Sequence, residues 1–324
     1  PPKVYEDIVP IDFENEDYEN LWRELRGVFL FWIDQGVRIF RVDNPHTKPF
    51  AFWEWAIETI KRDYPDVIFL SEAFTRPKVM KRLAKAGFTQ SYTYFTWRNS
   101  KHEIMHYMTE LTKTEAVEFM RPNFWPNTPD ILPEYLQYGG RPAFIIKLIL
   151  AATLSSNYGM YGPAFELLVN DALPGREEYQ NSEKYEIKKW NYNVKGNLRE
   201  LIGIINGIRK ENPALQATRN IRFLPVDNEY LLAFEKDSDD NSDTIIVIVN
   251  LSPYHKHSGW VELPLDEWGI SESQTFLVHD LIAQDKYVWQ GSRNYIEINP
   301  HSMPGHIFKV HRKLRRESDF DYYM

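Results

Sequence analysis

The sequence predicts an α/β fold: the second part of a (β/α)8 barrel, about five of the eight strand–helix units that close one, followed by an antiparallel β-sandwich. Two observations carry this prediction. Through residue 212, short apolar runs alternate with helix-length amphipathic segments, the pattern of a parallel sheet with crossover helices. After Asn212-Pro213 the pattern becomes short alternating or β-branched runs separated by turn residues, which describes a sandwich of about a hundred residues. The expected boundaries are therefore 1–212 for the C-terminal part of a catalytic barrel and 213–324 for the sandwich with a charged tail.

Taken in order, residues 18–35 form an amphipathic helix with Leu21, Leu25, Phe29 and Trp32 on one face. Gly36 ends it, and 37–42 is a short apolar strand that stops at Asp43. Pro49 opens a helix over 50–63, and the next strand, 67–70, also leads to an acid, Glu72. A helix over 77–86 stops at Gly87, and 90–95 reads as a third strand, followed by helix to about Met120. The segment ending at Asp130 is a fourth, 141–155 is a strongly apolar helix, and 158–161 is a last short strand with a glycine-rich exit. A polar loop over 163–193 leads to a helix over 196–210. The sandwich strands are expected at 230–234, 244–249, 259–263, 274–279, 286–289, 294–298 and 305–310. The tail from Arg312 is highly charged and lacks apolar periodicity.

Composition narrows the function. The 43% hydrophobic content supports a real core, and a net charge of -8 argues against a nucleic-acid partner, which would call for a basic face. The absence of cysteine excludes disulfides, thiolate zinc sites and a thiol nucleophile, and accords with a cytoplasmic setting. No signal peptide and no apolar run of membrane-spanning length is evident, so no membrane partner is expected. His46, His102 and His106 show no metal-ligand spacing that also supplies acids on one face, so neither a metal nor another cofactor is expected. An aromatic content of 15% suits stacking on sugar rings, and equally suits aromatic packing.

The chemistry concentrates at the strand exits. Arg41 and Asp43 are two apart, so on a strand they point the same way, a guanidinium that would keep a carboxylate ionised and nucleophilic. Taken alone, such a pair reads more readily as a structural ion pair. Three acids, Asp43, Glu72 and Asp130, each at a strand exit and separated by helices, are much harder to explain in that way.

The order R-x-D, then E, then D at successive strand ends resembles the α-amylase superfamily, glycoside hydrolase family 13. The strings Phe40-Arg41-Val42-Asp43-Asn44-Pro45-His46-Thr47-Lys48-Pro49, Ser71-Glu72-Ala73-Phe74-Thr75-Arg76-Pro77, Phe88-Thr89-Gln90-Ser91-Tyr92-Thr93-Tyr94-Phe95-Thr96-Trp97-Arg98-Asn99 and Asn127-Thr128-Pro129-Asp130 are similar to the GlgE-type α-1,4-glucan:maltose-1-phosphate maltosyltransferases within it. The resemblance implies a retaining transfer of a maltosyl unit from maltose 1-phosphate to an α-1,4-glucan, with release of phosphate. Asp43 would be the nucleophile, Glu72 the acid and then the base, and Asp130 the holder of sugar hydroxyls. The two carboxyls would stand about 5 Å apart, with Glu72 raised in pKa relative to Asp43. Lys3, Tyr5 and Asn44 would hold the phosphate, and Lys184 and Tyr185 the maltosyl unit; read without the family, the first two belong to a solvated terminus and the last two to a charged loop.

The chain departs from ordinary amylases where they carry Lys-His, here His46-Thr47, and where His precedes the third acid, here Pro129. These departures favour a phosphate donor. The resemblance further implies a homodimer and a preceding N-terminal half of the same protein, without which residues 1–324 would be poorly active. The other readings are an amylase-type α-glucan hydrolase and a non-catalytic carbohydrate-binding relic. An intact trio of acids argues against the relic.

Overall fold

A computed structural model describes residues 9–312. The chain divides into two compact units, one holding Pro1–Tyr92 with Glu118–Arg121, the other Thr93–Val117 with Pro122–Met324.

The first unit runs α1 (Tyr18–Asp34), β1 (Ile39–Asp43), α2 (Phe50–Asp63), β2 (Ile68–Glu72), α3 (Pro77–Lys85) and β3 (Gln90–Tyr92). The three strands are parallel neighbours in chain order. Gly36 closes α1 at φ +93, a conformation a side chain would resist, and Val37 donates back to Trp32 across it. The core gathers Ile33 of α1, Phe52, Trp53 and Ile60 of α2, and Val42 and Phe69 of the sheet. Trp32 does not join the buried face of α1 as expected. It is half exposed, and the seam runs through Trp22, Leu25, Phe29 and Ile33. The helical repeat of 3.6 residues carries position 32 round to solvent once that seam is seated.

The third strand is shorter than the sequence indicates. It ends at Tyr92, and Tyr94–Trp97 winds into a 3-10 turn in the second unit. The turn's carbonyls explain the change of path, because the buried amine of Lys147 collects them. Its Nζ donates to Phe95 O and Arg98 O, each at 2.9 Å. Lys147 projects from α6 (Glu134–Leu154), which follows α4 (Lys101–Lys113), the short α5 (Ala116–Phe119) and β4 (Pro122–Phe124). Gly140, at φ 57, breaks α6, and Pro142 restarts it, which is why only its second part reads as helix in the sequence. β5 (Asn157–Tyr158) runs parallel to β4 and ends before Tyr161, where the sequence placed its end. The polar loop that follows contains α7 (Gly162–Glu166) and leads to α8 (Arg199–Glu211).

The β-domain comprises β6 (Ile221–Leu224), β7 (Leu231–Asp237), β8 (Thr244–Asn250), β9 (His257–Glu262), the short α9 (Leu265–Trp268), β10 (Thr275–Asp280), β11 (Lys286–Gln290), β12 (Arg293–Ile298) and β13 (Gly305–His311). Six strands form an antiparallel sheet ordered β11-β10-β13-β8-β7-β6, and β9 pairs with β12 in a second, two-stranded sheet. Their apolar faces meet in one core that includes Ile246, Phe276, Phe308, Val261 and Ile296. β6 and α9 were not legible in the sequence, where three and two apolar positions respectively give too short a signal.

Lys147 and Lys236 are fully buried, and burial pushes each down to about 7. The folded chain therefore binds fewer protons than the unfolded chain between about pH 7 and 10, and stability rises with pH across that window. Lys147→Met removes part of this slope and leaves the Phe95 and Arg98 carbonyls without their donor, at about 1–3 kcal/mol. Denaturant midpoints should show the variant more destabilised at pH 9.5 than at pH 6. An equal loss at both values would mean that the amine does not titrate in the window.

Candidate active site

Asp43 and Glu72 are register partners at the ends of β1 and β2. In a parallel pair such partners leave the same face about 4.8 Å apart. Arg41, two residues earlier on β1, shares that face. Its Nη1 lies 3.8 Å from Asp43 Oδ2 and its Nη2 3.2 Å from Glu72 Oε1. Arg41 therefore bridges both carboxyl groups and lies nearer Glu72, whereas the sequence expectation joined it to Asp43 alone.

The two acids differ sharply in exposure, with side chains 62% exposed for Asp43 and 7% for Glu72. Glu72 is pushed up to about 7. Burial is the main cause; Arg41 opposes it, the charge of Asp43 and a hydrogen bond to Asp43 add to it, and the Asn44 N–H opposes it. Glu72 is thus the buried member of the pair and Asp43 the solvent-facing one. The register sets the two strand positions directly beside each other.

Asn44 takes a left-handed conformation, φ 46 and ψ 49, that asparagine tolerates. Its N–H donates to Glu72 O at 3.0 Å, and its Nδ2 donates to Asp43 Oδ1 at 2.8 Å. Trp53 Nε1 donates to Pro45 O at 2.9 Å and anchors the turn behind it. His46 is half-buried; burial and the charge of Lys48 lower its pKa, and Asp43 opposes them. Lys3 and Tyr5 lie outside the described residues.

Asp130, Lys184 and Tyr185 belong to the second unit. Asp130 is not at a strand end as expected: β4 stops at Phe124, and Asp130 sits in a turn bridged by Thr128 and Ile131. The prolines at 126 and 129 account for the early end, since neither can donate to a sheet. Asn127, fully buried, ties this turn to Tyr161 N at 3.0 Å and to the Tyr179 hydroxyl at 2.7 Å. Lys184 and Tyr185 are exposed, with the Lys184 amine 5.5 Å from the Tyr185 ring centroid. Their neighbour Glu183 accepts from the Tyr161 hydroxyl, and from Trp190 Nε1 at 2.8 Å.

The sequence reading missed Tyr92. β2 and β3 pair Ser71 with Ser91, so Glu72 and Tyr92 are the next residues on each strand. Asp43, Glu72 and Tyr92 thus form a row across three strand ends. A signal was available, because Tyr92 is a polar ring at the strand position that the two acids occupy. Among the described residues no group of three or more His, Asp or Glu could hold a metal ion, and no helix is long and apolar enough to cross a membrane.

The family described as GLGE, C-terminal, matches residues 223–310. An α-1,4-glucan:maltose-1-phosphate maltosyltransferase of Chlorobaculum tepidum is 56% identical over 316 residues, covering 96% of this chain and 47% of that protein. Those of Methylacidiphilum infernorum and Rhodospirillum rubrum are 56% and 52% identical, again over 96% of this chain and 46% and 45% of theirs. The chain spans about half the length of the curated relatives it matches. Among solved structures, an α-amylase of Geobacillus thermoleovorans complexed with acarbose superposes with a TM-score of 0.71 at 13% identity, over 94% of this chain and 66% of that one. An Anoxybacillus α-amylase gives 0.73 at 15% identity, over 94% and 65%. At such identities the likeness is one of fold.

Proposed function

The chain is a relative of the α-1,4-glucan:maltose-1-phosphate maltosyltransferases, and from this premise we propose that the protein transfers a maltosyl unit from α-maltose 1-phosphate to the non-reducing end of an α-1,4-glucan, releasing phosphate and so building α-glucan. The observation that carries the proposal is the paired Asp43 and Glu72, one exposed and one buried with a raised pKa, in a chain 56% identical to such an enzyme.

Asp43 attacks C1 of the donor while Glu72 gives its proton to the departing phosphate oxygen. A β-linked maltosyl-enzyme and free phosphate result. Glu72, now a carboxylate, takes the proton of the acceptor 4-OH as that oxygen displaces Asp43, and the configuration at C1 is retained. A carboxyl near pH 7 suits both steps, because neither protonation state is costly to reach. Arg41 sets its positive charge beside both carboxyls as charge moves between them. Asp130 holds sugar hydroxyls, Asn44 with Lys3 and Tyr5 holds the phosphate, and Lys184 with Tyr185 holds the maltosyl unit.

Within this proposal, residues 1–212 are the later part of a (β/α)8 barrel and 213–324 its β-sandwich. Val28, Phe31 and Trp32 on α1, with Ile39 at the outer strand β1, are exposed. That apolar face supports a further length of the same protein as its cover. The intact enzyme is proposed to act as a homodimer.

The test mixes the intact protein with maltose 1-phosphate and a malto-oligosaccharide. Phosphate release matched by lengthening of the acceptor is expected. Reducing-sugar release from starch with no phosphate release would replace the transferase with an α-glucan hydrolase.

A further inference from the structure

Two prolines thin out the anchors of the turn that carries Asp130. Pro129 and Pro133 have no backbone N–H to donate. The Asp130 N–H goes to the Thr128 hydroxyl at 3.2 Å and the Ile131 N–H to the Thr128 carbonyl at 3.3 Å, both within the turn. The next two donors go to Glu177. Leu132 N–H donates to its backbone carbonyl at 2.8 Å, and Glu134 N–H to its Oε1 at 3.1 Å. The other carboxylate oxygen, Oε2, accepts from Trp97 Nε1 at 2.7 Å. A single half-buried side chain thus joins the segment after Asp130 to the 3-10 turn Tyr94–Trp97. Glu134 opens α6, whose N-cap residue Pro133 supplies no side-chain cap, so Glu177 takes that place from another segment. Gln137 backs the arrangement, its Nε2 donating to Leu132 O at 2.8 Å and to Arg176 O at 3.1 Å.

We propose that Glu177 is a positioning residue for the transfer: by joining Trp97 to the start of α6, its carboxylate fixes the turn that presents Asp130 to the sugar. A carboxylate only accepts, and here each of its oxygens meets an N–H. Both donors belong to seated elements. Lys147 holds the 3-10 turn through Phe95 O and Arg98 O, and Leu132 and Leu136 at the start of α6 are fully buried. Without the carboxylate the segment after Asp130 loses its tie to Trp97, and Asp130 can shift. Hydrogen bonds to sugar hydroxyls strengthen as the ring approaches the oxocarbenium-like state. A displaced Asp130 therefore costs more in the transition state than in the bound donor, and the loss falls on kcat.

This inference rests on the role proposed above for Asp130. The test is a double-mutant cycle in the intact protein that pairs Glu177→Gln with Asp130→Ala, assayed at enzyme concentrations high enough to follow the residual rate. Glutamine keeps the size of the side chain but turns one acceptor into a donor, which then faces an N–H. Alone, Glu177→Gln should lower kcat for phosphate release about 10-fold and leave KM for maltose 1-phosphate within about threefold of wild type. In the Asp130→Ala background the same change should cost less than about twofold, because the residue it positions is gone. Trp97→Phe probes the same bridge should Glu177→Gln fail to fold. It removes the indole N–H, leaves Glu177 on Glu134, and should lower kcat about threefold, again only where Asp130 is present. An unchanged kcat, a loss confined to KM, or an equal loss with and without Asp130 would overturn the role. Full activity in Asp130→Ala would overturn it too, by removing what Glu177 is held to position. If the wild type releases no phosphate but cleaves malto-oligosaccharide, the donor assignment has failed instead. The same cycle is then read on that cleavage, which also draws on the sugar hydroxyls at Asp130.

Discussion

Asp43→Asn will lower phosphate release from maltose 1-phosphate by about 10^4-fold or more, the scale seen when a catalytic nucleophile is removed. Asparagine keeps the shape of the side chain and its place at the end of β1, so the register with Glu72 should persist. It cannot form the glycosyl ester on which the proposed mechanism depends, however. Because the Asp43 side chain is largely exposed, the substitution should leave the melting temperature nearly unchanged, which separates lost chemistry from lost folding. Mass spectrometry of the wild type stopped early in turnover should show a maltosyl adduct on the peptide carrying Asp43, and the variant should show none. Activity above about 1% of wild type in Asp43→Asn would remove Asp43 from the nucleophile's role.

Glu72→Gln is the second large effect, about 10^3-fold in kcat, within the range expected for loss of a general acid and base. The sign of the pH dependence can be worked out in advance. Glu72 has to be protonated to assist departure of phosphate, and burial pushes it up to about 7. Activity limited by the first step should therefore fall as pH rises through about 7, and this limb should vanish in Glu72→Gln, whose amide does not titrate. A limb that survives the substitution belongs to another group. Unlike Asp43, Glu72 is buried beside Arg41, so the neutral amide leaves that cation with a weaker partner. The fold already favours the neutral form of Glu72, which offsets this, so stability near pH 7 should change little.

Much of the architecture was legible because it rests on local periodicity. The helices over 18–35, 50–63 and 77–86 were each read to within a residue or so, since their apolar spacing and their Gly or Pro punctuation act over one or two turns. Alternation along the strands located seven of the eight antiparallel ones, leaving out β6, the shortest of them. Strand ends were less secure. The third parallel strand was carried to Phe95, and Asp130 was put at a strand exit, because a short apolar run does not announce where its partner stops. Pairing, and the carbonyls that Lys147 gathers after Tyr92, decide that.

The same division holds at the site. The residue types, their order and their placement at the ends of strands were written in the sequence, and they singled out Arg41, Asp43 and Glu72, which the fold brings together. Tertiary structure alone decided what those groups do to one another. Asp43 and Glu72 are 29 positions apart in the chain (72 minus 43), and only the parallel register sets them side by side. Only packing buries one, pushing its pKa up to about 7, and leaves the other exposed. Only the third strand brings Tyr92 into line with Glu72. Identity travels along the chain, whereas desolvation and charge–charge distance belong to whatever the folded chain brings near, and those two quantities set the chemistry.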